Sequence, residues 1–402
     1  VNELESDRAF SEARRPPFVT YLLCALCGLV FLLQLTQGAH DHAGIGYPGY
    51  EDGLALFSGS YWGLLTSFFL HSGITHVAFN VYWLYHFGRG VESRLGWMRY
   101  LLFWLAATCV SGLMEVIVTG DTGVGASGFG YALFGFVWVG SRRDPDLARL
   151  LDQQTVILFV VWLFVCMGLT WTGTAAIANG AHVGGMLFGA LCAYAFLLTD
   201  GPLWKIVTAA MTVLFFVPLF YAPWLSTWNL AQAGRAYRHA RYEDVLTYLD
   251  RVRLPEDYTY EMELRADSLS NLKRTREATA DYKTLLEQSA ESPSDPGYVY
   301  NEYAWILATS PDDQVRNAPD AIHYAQKACA VDQYRDPDSL DTLATAYASA
   351  HQFDQAVNWE QKAIAVETDS PALAELKAHL KLFQSEKPYR ESPDSSDARG
   401  GS

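Results

Sequence analysis

Seven apolar stretches lie ahead of residue 226 in this 402-residue chain, and they limit what it can fold into more than any other feature. Phe18 to Leu35 is long enough to span a bilayer, since about 20 residues rising about 1.5 Å each cross a ~30 Å hydrocarbon core. A signal peptide would read similarly, but this run is long and no small-x-small cleavage site follows it, so it is taken as the first membrane helix. Further segments follow at about 74–88, about 98–118, 127–140, about 155–170 and about 180–199, and a seventh runs from Leu203 to Leu225. Several are short or carry Gly, Ser, His, Asn or Glu, which marks a polyhelical bundle with an interior function rather than a set of single anchors. Pro218 and Pro223 weigh against regular helix at the far end of the seventh. The expected fold is all-α, a polytopic membrane bundle followed by a second helical part.

Residues 229–402 differ sharply, being rich in Asp, Glu, Arg, Ala and Tyr. They contribute most of the net charge of -15, and that balance argues against nucleic-acid binding, which needs a basic face. Of the six cysteines, Cys24, Cys27, Cys109, Cys166 and Cys192 lie in apolar segments and Cys329 is alone in the polar part. No disulfide or metal framework follows from them, Cys24 and Cys27 being better read as small apolar residues, and no cofactor is expected.

Arginines set the expected orientation. Arg8, Arg14 and Arg15 precede the first helix, Arg89, Arg94 and Arg99 lie between the second and third, and Arg142, Arg143 and Arg149 lie between the fourth and fifth. The alternate loops at 37–62, about 119–124 and about 171–178 carry no Lys or Arg, so the N-terminus is expected in the cytoplasm. The Gly- and aromatic-rich loop at 37–62 suits the membrane interface.

The polar part repeats. Leu343-Ala344, Tyr347, Phe353, Ala356 and Ala363, with Asp338 at the start, follow the small/large spacing of a tetratricopeptide helix pair. Ala321 and Ala328 stand 35 residues before Ala356 and Ala363, and Ala278, with Tyr282 and Leu285, marks a copy 43 residues before Ala321. A weaker copy covers Gly234 to Val252. Stacked helix pairs are expected, in three to four units, as a protein-binding solenoid with an unidentified partner. The expected organisation is a cytoplasmic tail at 1–17, a membrane core at 18–200, a seventh membrane helix at 201–228, repeats at 229–384 and a disordered tail at 385–402.

Chemistry is concentrated at Gly123-Val124-Gly125-Ala126-Ser127-Gly128-Phe129-Gly130. A serine with so little bulk around it leaves room for a substrate backbone, and a hydrolytic serine needs a base and oxyanion donors. His182 begins a face shared with Gly185 and Gly189, at i, i+3 and i+7, and Gly185, Gly189 and Ala193 form a small-x-x-x-small series. Gly128 and Ala132 offer the matching surface on the fourth helix, so packing the two would bring His182 beside Ser127. His76 and Asn80, at i and i+4, can point into one cavity and donate to an oxyanion. Taken singly, the Gly-x-Ser-Gly is more often helix packing and the His76/Asn80 pair interhelical hydrogen bonding, while His182 reads either way; their joint presence on complementary faces favours chemistry. Glu115, with Ser111 one turn earlier, is expected to line a wet cavity or to make a polar contact between helices.

His71-x4-His76-x3-Asn80, Gly125-Ala126-Ser127-Gly128 and Asn179-Gly180-Ala181-His182, in this order on the second, fourth and sixth helices, closely resemble the rhomboid family of intramembrane serine proteases. Gly90-Val91-Glu92-Ser93-Arg94-Leu95-Gly96 and Arg143-Asp144-Pro145 also resemble loops of its bacterial members. The resemblance covers about residues 18–200. It implies Ser127 as nucleophile and His182 as general base, without an acidic third member. It also implies an oxyanion hole of Asn80, His76 and the Ser127 N–H, and Tyr131 packed on the His182 ring. One departure is that Gly63 follows Trp62 where the family usually has Arg.

A multi-pass protein of a bacterial inner membrane is thus expected, with the repeats outside the cytoplasm if the seventh segment crosses. Its expected substrates are single-pass membrane proteins, cut near the outer end of a helix weakened by Gly, Ala, Ser or Pro, because an intact helix keeps its carbonyls hydrogen-bonded. The alternative is a catalytically silent scaffold that binds clients, which predicts loss of Ser127 or His182. A transporter would want several intramembrane charges, where only Glu115 qualifies.

Overall fold

The computed structural model describes residues 16–36, 49–199, 201–253, 259–288, 295–368 and 370–392. Residues 1–15 of the N-terminal tail and 37–48 of the expected interfacial loop therefore lie outside the described residues. All regular elements among the described residues are helical, and the chain divides into two compact units, at Ala231 and Gln232.

Seven principal helices build the first unit: α1 (Phe18–Thr36), α2 (Ile74–Leu95), α3 (Trp97–Thr119), α4 (Ser127–Gly140), α5 (Gln153–Trp171), α6 (Asn179–Ala193) and α7 (Pro202–Phe215). Helix α6 continues into a π turn, Tyr194–Leu198. Among the described residues, five spans, beginning at Phe18, Trp97, Gln153, Asn179 and Pro202, are long and apolar enough to cross a membrane. Leu22, Leu29 and Leu33 on α1, Ile157 and Phe164 on α5, and Ile206 and Val213 on α7 face outward, an apolar surface that only lipid would cover. With these spans the unit is a multi-pass membrane bundle.

Helix α4 is its centre. Gly128, Phe129 and every residue from Tyr131 to Val137 are buried, so this 14-residue apolar helix has no lipid-facing stripe over that stretch. It is held by backbone-to-backbone contact. A Cβ built on Gly185 would stand 2.1 Å from the Gly128 carbonyl oxygen, and one on Gly189 would stand 1.9 Å from that of Ala132. Gly135 returns the contact, its Cβ position falling 2.2 Å from the Met186 oxygen. Glycine is needed at these positions for close approach.

One element departs from the sequence expectation, and another ends where its prolines weigh against helix. The second apolar segment ends near residue 88, but α2 continues to Leu95, because Glu92 is buried against the start of α1. Its carboxylate accepts the backbone N–H of Val19 (3.0 Å) and of Thr20 (2.8 Å) and the Thr20 hydroxyl (2.7 Å). These are first-turn amides that a helix cannot satisfy internally, and a carboxylate suits the positive end of the helix dipole. The seventh segment is not one continuous helix to residue 225. Helix α7 stops at Phe215 and a single turn, Val217–Phe220, follows, since Pro218 has no N–H to give and its ring collides with the carbonyl four residues back.

The second unit consists of α8 (Ser226–Arg238), which begins in the first unit, α9 (Tyr242–Leu249), α10 (Thr259–Asn271), α11 (Thr275–Gln288), α12 (Pro296–Thr309), α13 (Ala318–Val331), α14 (Pro337–Ser349), α15 (Phe353–Val366) and α16 (Ser370–Gln384). Ala278, Ala321 and Ala356, and likewise Ala328 and Ala363, are wholly buried where successive helices meet. Asp295, Asn317 and Asp336 cap α12, α13 and α14, each with a proline in the first helical turn. The observed cap of α14 is Asp336, two residues before the Asp338 that marks its start in sequence. Residues 385–392 are not a disordered tail. Glu391 accepts from Lys273 Nζ and from Trp305 Nε1, both at 2.8 Å, and Arg390 donates to the Ala308 carbonyl at 3.0 Å. Their Ser- and charge-rich composition hid these contacts.

Candidate active site

The loop ahead of α4 turns on Gly123 and Gly125, whose φ angles of +66° and +106° favour glycine. The Gly125 N–H is anchored to the Ser67 carbonyl at 2.9 Å. Ala126, buried and without a polar side chain, is the N-cap, so Ser127 is the first residue of α4. Its backbone N–H, like those of the next residues, has no acceptor within the helix and sits at the positive end of the dipole.

Helix α6 brings His182 to this point. Asn179 Nδ2 donates to the Thr170 hydroxyl at 2.8 Å, tying the start of α6 to the end of α5. The glycine face of α6 then seats against α4, and His182 Nε2 lies 2.8 Å from Ser127 Oγ. His182 is buried, and its Nδ1 has no hydrogen-bond partner among the described residues. Orientation of the ring comes from stacking: Tyr131 lies against it with centroids 4.6 Å apart and planes at 29°. Tyr131 is itself fixed by a 3.1 Å hydrogen bond from its hydroxyl to the Phe159 carbonyl on α5.

On the other side of the loop stand His76 and Asn80, one turn apart on α2. A Cβ on Gly125 would be 2.7 Å from His76 Nε2 and 3.2 Å from Asn80 Nδ2, so both donors reach the serine loop only because residue 125 has no side chain. Asn80 Nδ2 is buried without a partner among the described residues. His76 Nδ1 is engaged by the Ser72 hydroxyl at 3.0 Å, which leaves Nε2 toward the loop. His71 is one shell further out, its ring edge-on to His76 at 5.0 Å and its Nδ1 3.0 Å from the Phe69 carbonyl.

Ser111 and Glu115 part company. Ser111, which donates to the Ala107 carbonyl of its own helix, lines a small cavity with Ser67, Thr108, Gly125, Ser127 and Ala181. The Glu115 carboxylate instead accepts the backbone N–H of Ala181 at 3.0 Å, capping the first turn of α6 one residue before His182. Sequence spacing gives no hint of this bond, because its donor is a backbone amide 66 positions further along the chain. Gly63 has a local reason as well. A Cβ there would fall 2.5 Å from Glu51 Cβ, and Glu51 accepts the Trp62 indole N–H at 2.8 Å.

Taken together, these features describe a multi-pass helical membrane protein that sets a half-buried serine against a buried histidine, beside two side-chain donors. Residues 58–199 match the family model of the Rhomboid domain. Among curated proteins, the rhomboid proteases GlpG of Salmonella paratyphi A, Salmonella choleraesuis and Salmonella newport are each 32% identical over 133 residues, 33% of this chain and 48% of theirs. These matches support the rhomboid family for the membrane unit. The chain spans about half the length of the curated relatives it matches, and the family match ends at residue 199.

Proposed function

We propose that the protein is an intramembrane serine endopeptidase working through a Ser127–His182 dyad. The 2.8 Å contact between Ser127 Oγ and His182 Nε2 carries this reading, because it places a base on a serine at the start of a helix. His182 takes the hydroxyl proton as Oγ attacks a peptide carbonyl, and then delivers it to the leaving amine. Asn80 Nδ2, His76 Nε2 and the Ser127 N–H receive the oxyanion, a role served by donors fixed in advance and shielded from bulk water. Water reaches the acyl-enzyme through the cavity at Ser67, Thr108 and Ser111, where the buried Thr108 hydroxyl has no partner among the described residues.

Substrates are single-pass membrane proteins cut at an outer helix end that unwinds readily. The active site opens to the side opposite the cytoplasm, and the tetratricopeptide-like unit, on that same side, binds a protein partner through its repeats. The test is hydrolysis of a panel of single-pass substrates by purified protein in liposomes. Wild type should cleave, while Ser127→Ala and His182→Ala, with unchanged thermal stability, should fall to background. Cleavage that persists in Ser127→Ala would remove the dyad assignment. A folded wild type that cuts nothing would favour the scaffold reading.

A further inference from the structure

Three polar side chains converge in the second unit where the protease reading makes no use of them. Asp341 on α14, Glu360 on α15 and His379 on α16 are buried, at 6%, 0% and 3% exposure. One ligand atom from each lies within 4.8 Å of the other two, and His379 Nδ1 is 2.8 Å from Asp341 Oδ1. Glu360 is the decisive member, for both its carboxylate oxygens are buried, no N–H or hydroxyl donor among the described residues reaches them, and the group beside them is another acid, Asp341. Two buried carboxyls side by side without a counter-charge are among the costliest arrangements a fold can hold.

We propose that Asp341, Glu360 and His379 bind one divalent first-row transition cation of the Zn2+, Mn2+ and Fe2+ group. Two carboxylates and a neutral imidazole offer two oxygens and a nitrogen, and their summed charge of two cancels that of the ion. Magnesium and calcium prefer all-oxygen shells, whereas imidazole with carboxylate suits zinc, manganese or ferrous iron. The ion replaces the missing counter-charge of Glu360 and joins three successive helices, so its binding energy is folding energy for this end of the unit. The cluster escapes a sequence reading that expects no metal, because its members are single polar residues 19 positions apart on different helices.

The full chain, purified without a histidine tag, is stripped with chelator and then loaded with Zn2+ or Co2+. Wild type should retain one equivalent of zinc after desalting, show a visible Co2+ absorption band of nitrogen and oxygen ligation, and melt at a higher temperature with metal than without. Glu360→Gln and His379→Gln should retain none and lose the metal-dependent shift. Wild type that holds no more metal than the variants, and gives no Co2+ band, would overturn the proposal in favour of a proton shared between Glu360 and Asp341. If the variants fail to fold, the Co2+ spectrum of wild type alone decides between the two.

Discussion

At the scale of single residues, Ser127 and the histidine in contact with it are the most legible part of the molecule. Ser127 stands out because glycines and an alanine surround it, and His182 because the glycines that follow define its helix face. Asn80 and His76 could be paired by their one-turn spacing alone. Glu115 could not be read this way, since it acts on a backbone amide, which has no sequence identity. Its position makes a graded prediction about the histidine that follows the amide it holds. Glu115→Leu leaves the Ala181 N–H buried without an acceptor, at a cost of about 1.5–3 kcal/mol for a hydrogen bond to a charged group. The freed first turn of α6 lets His182 drift from Ser127, and a displacement of about 1 Å lowers turnover on the order of 100-fold. Glu115→Gln keeps an acceptor and should recover most of both. Steady-state kinetics on one membrane substrate should therefore show kcat falling far more than KM rises in the leucine variant; equal kcat in all three proteins would refute the positioning role.

At the scale of elements, packing rather than hydropathy decides where helices begin and end. Apolar content follows α4 from its first residue to its last, because that helix is buried in protein. It loses α2 after residue 88, where Arg89, Glu92 and Arg94 look like a loop although Glu92 is part of the packing against α1. Hydropathy likewise runs through Pro218, where backbone hydrogen bonding cannot. The α4–α6 contact yields a comparison of two glycines. Gly189→Ala must push a methyl into the Ala132 carbonyl, which real structures avoid only by separating the helices, and overpacking of this kind costs about 1–3 kcal/mol or more. Gly168→Ala on α5 meets nothing within 4 Å and gains up to about 1 kcal/mol of helix propensity. Thermal unfolding in detergent should lower the midpoint for the first and leave or raise it for the second, and proteolysis should fall only in the first.

At the scale of the whole molecule, the division into an apolar and a polar part could be read from composition, and the repeated alanines marked where helices of the second unit meet. The polar interior of that unit could not, because its groups are brought together by stacking. Asp267 is one such group, buried and receiving hydrogen bonds from the hydroxyls of Tyr282, Tyr237 and Tyr298. Burial is the leading cause that raises its carboxyl from 3.8 to about 6, ahead of the opposing tyrosine bonds. A folded-state value above the unfolded one means the folded chain keeps a proton that the unfolded chain has released. The contribution is thus complete below about pH 4 and declines as pH rises toward 6, by at most about 1.4 kcal/mol per unit. Unfolding of the second unit, followed by fluorescence in the full chain, should show this slope in wild type and lack it in Asp267→Asn. In the first unit, the Glu92 contact also bears on the order of assembly. The start of α1 leaves the ribosome long before the side chain that receives it, so α1 must wait in the bilayer without this partner until α2 has been made. Its docking is then a meeting of two separately inserted pieces, and continuity of the chain between them supplies proximity rather than the address.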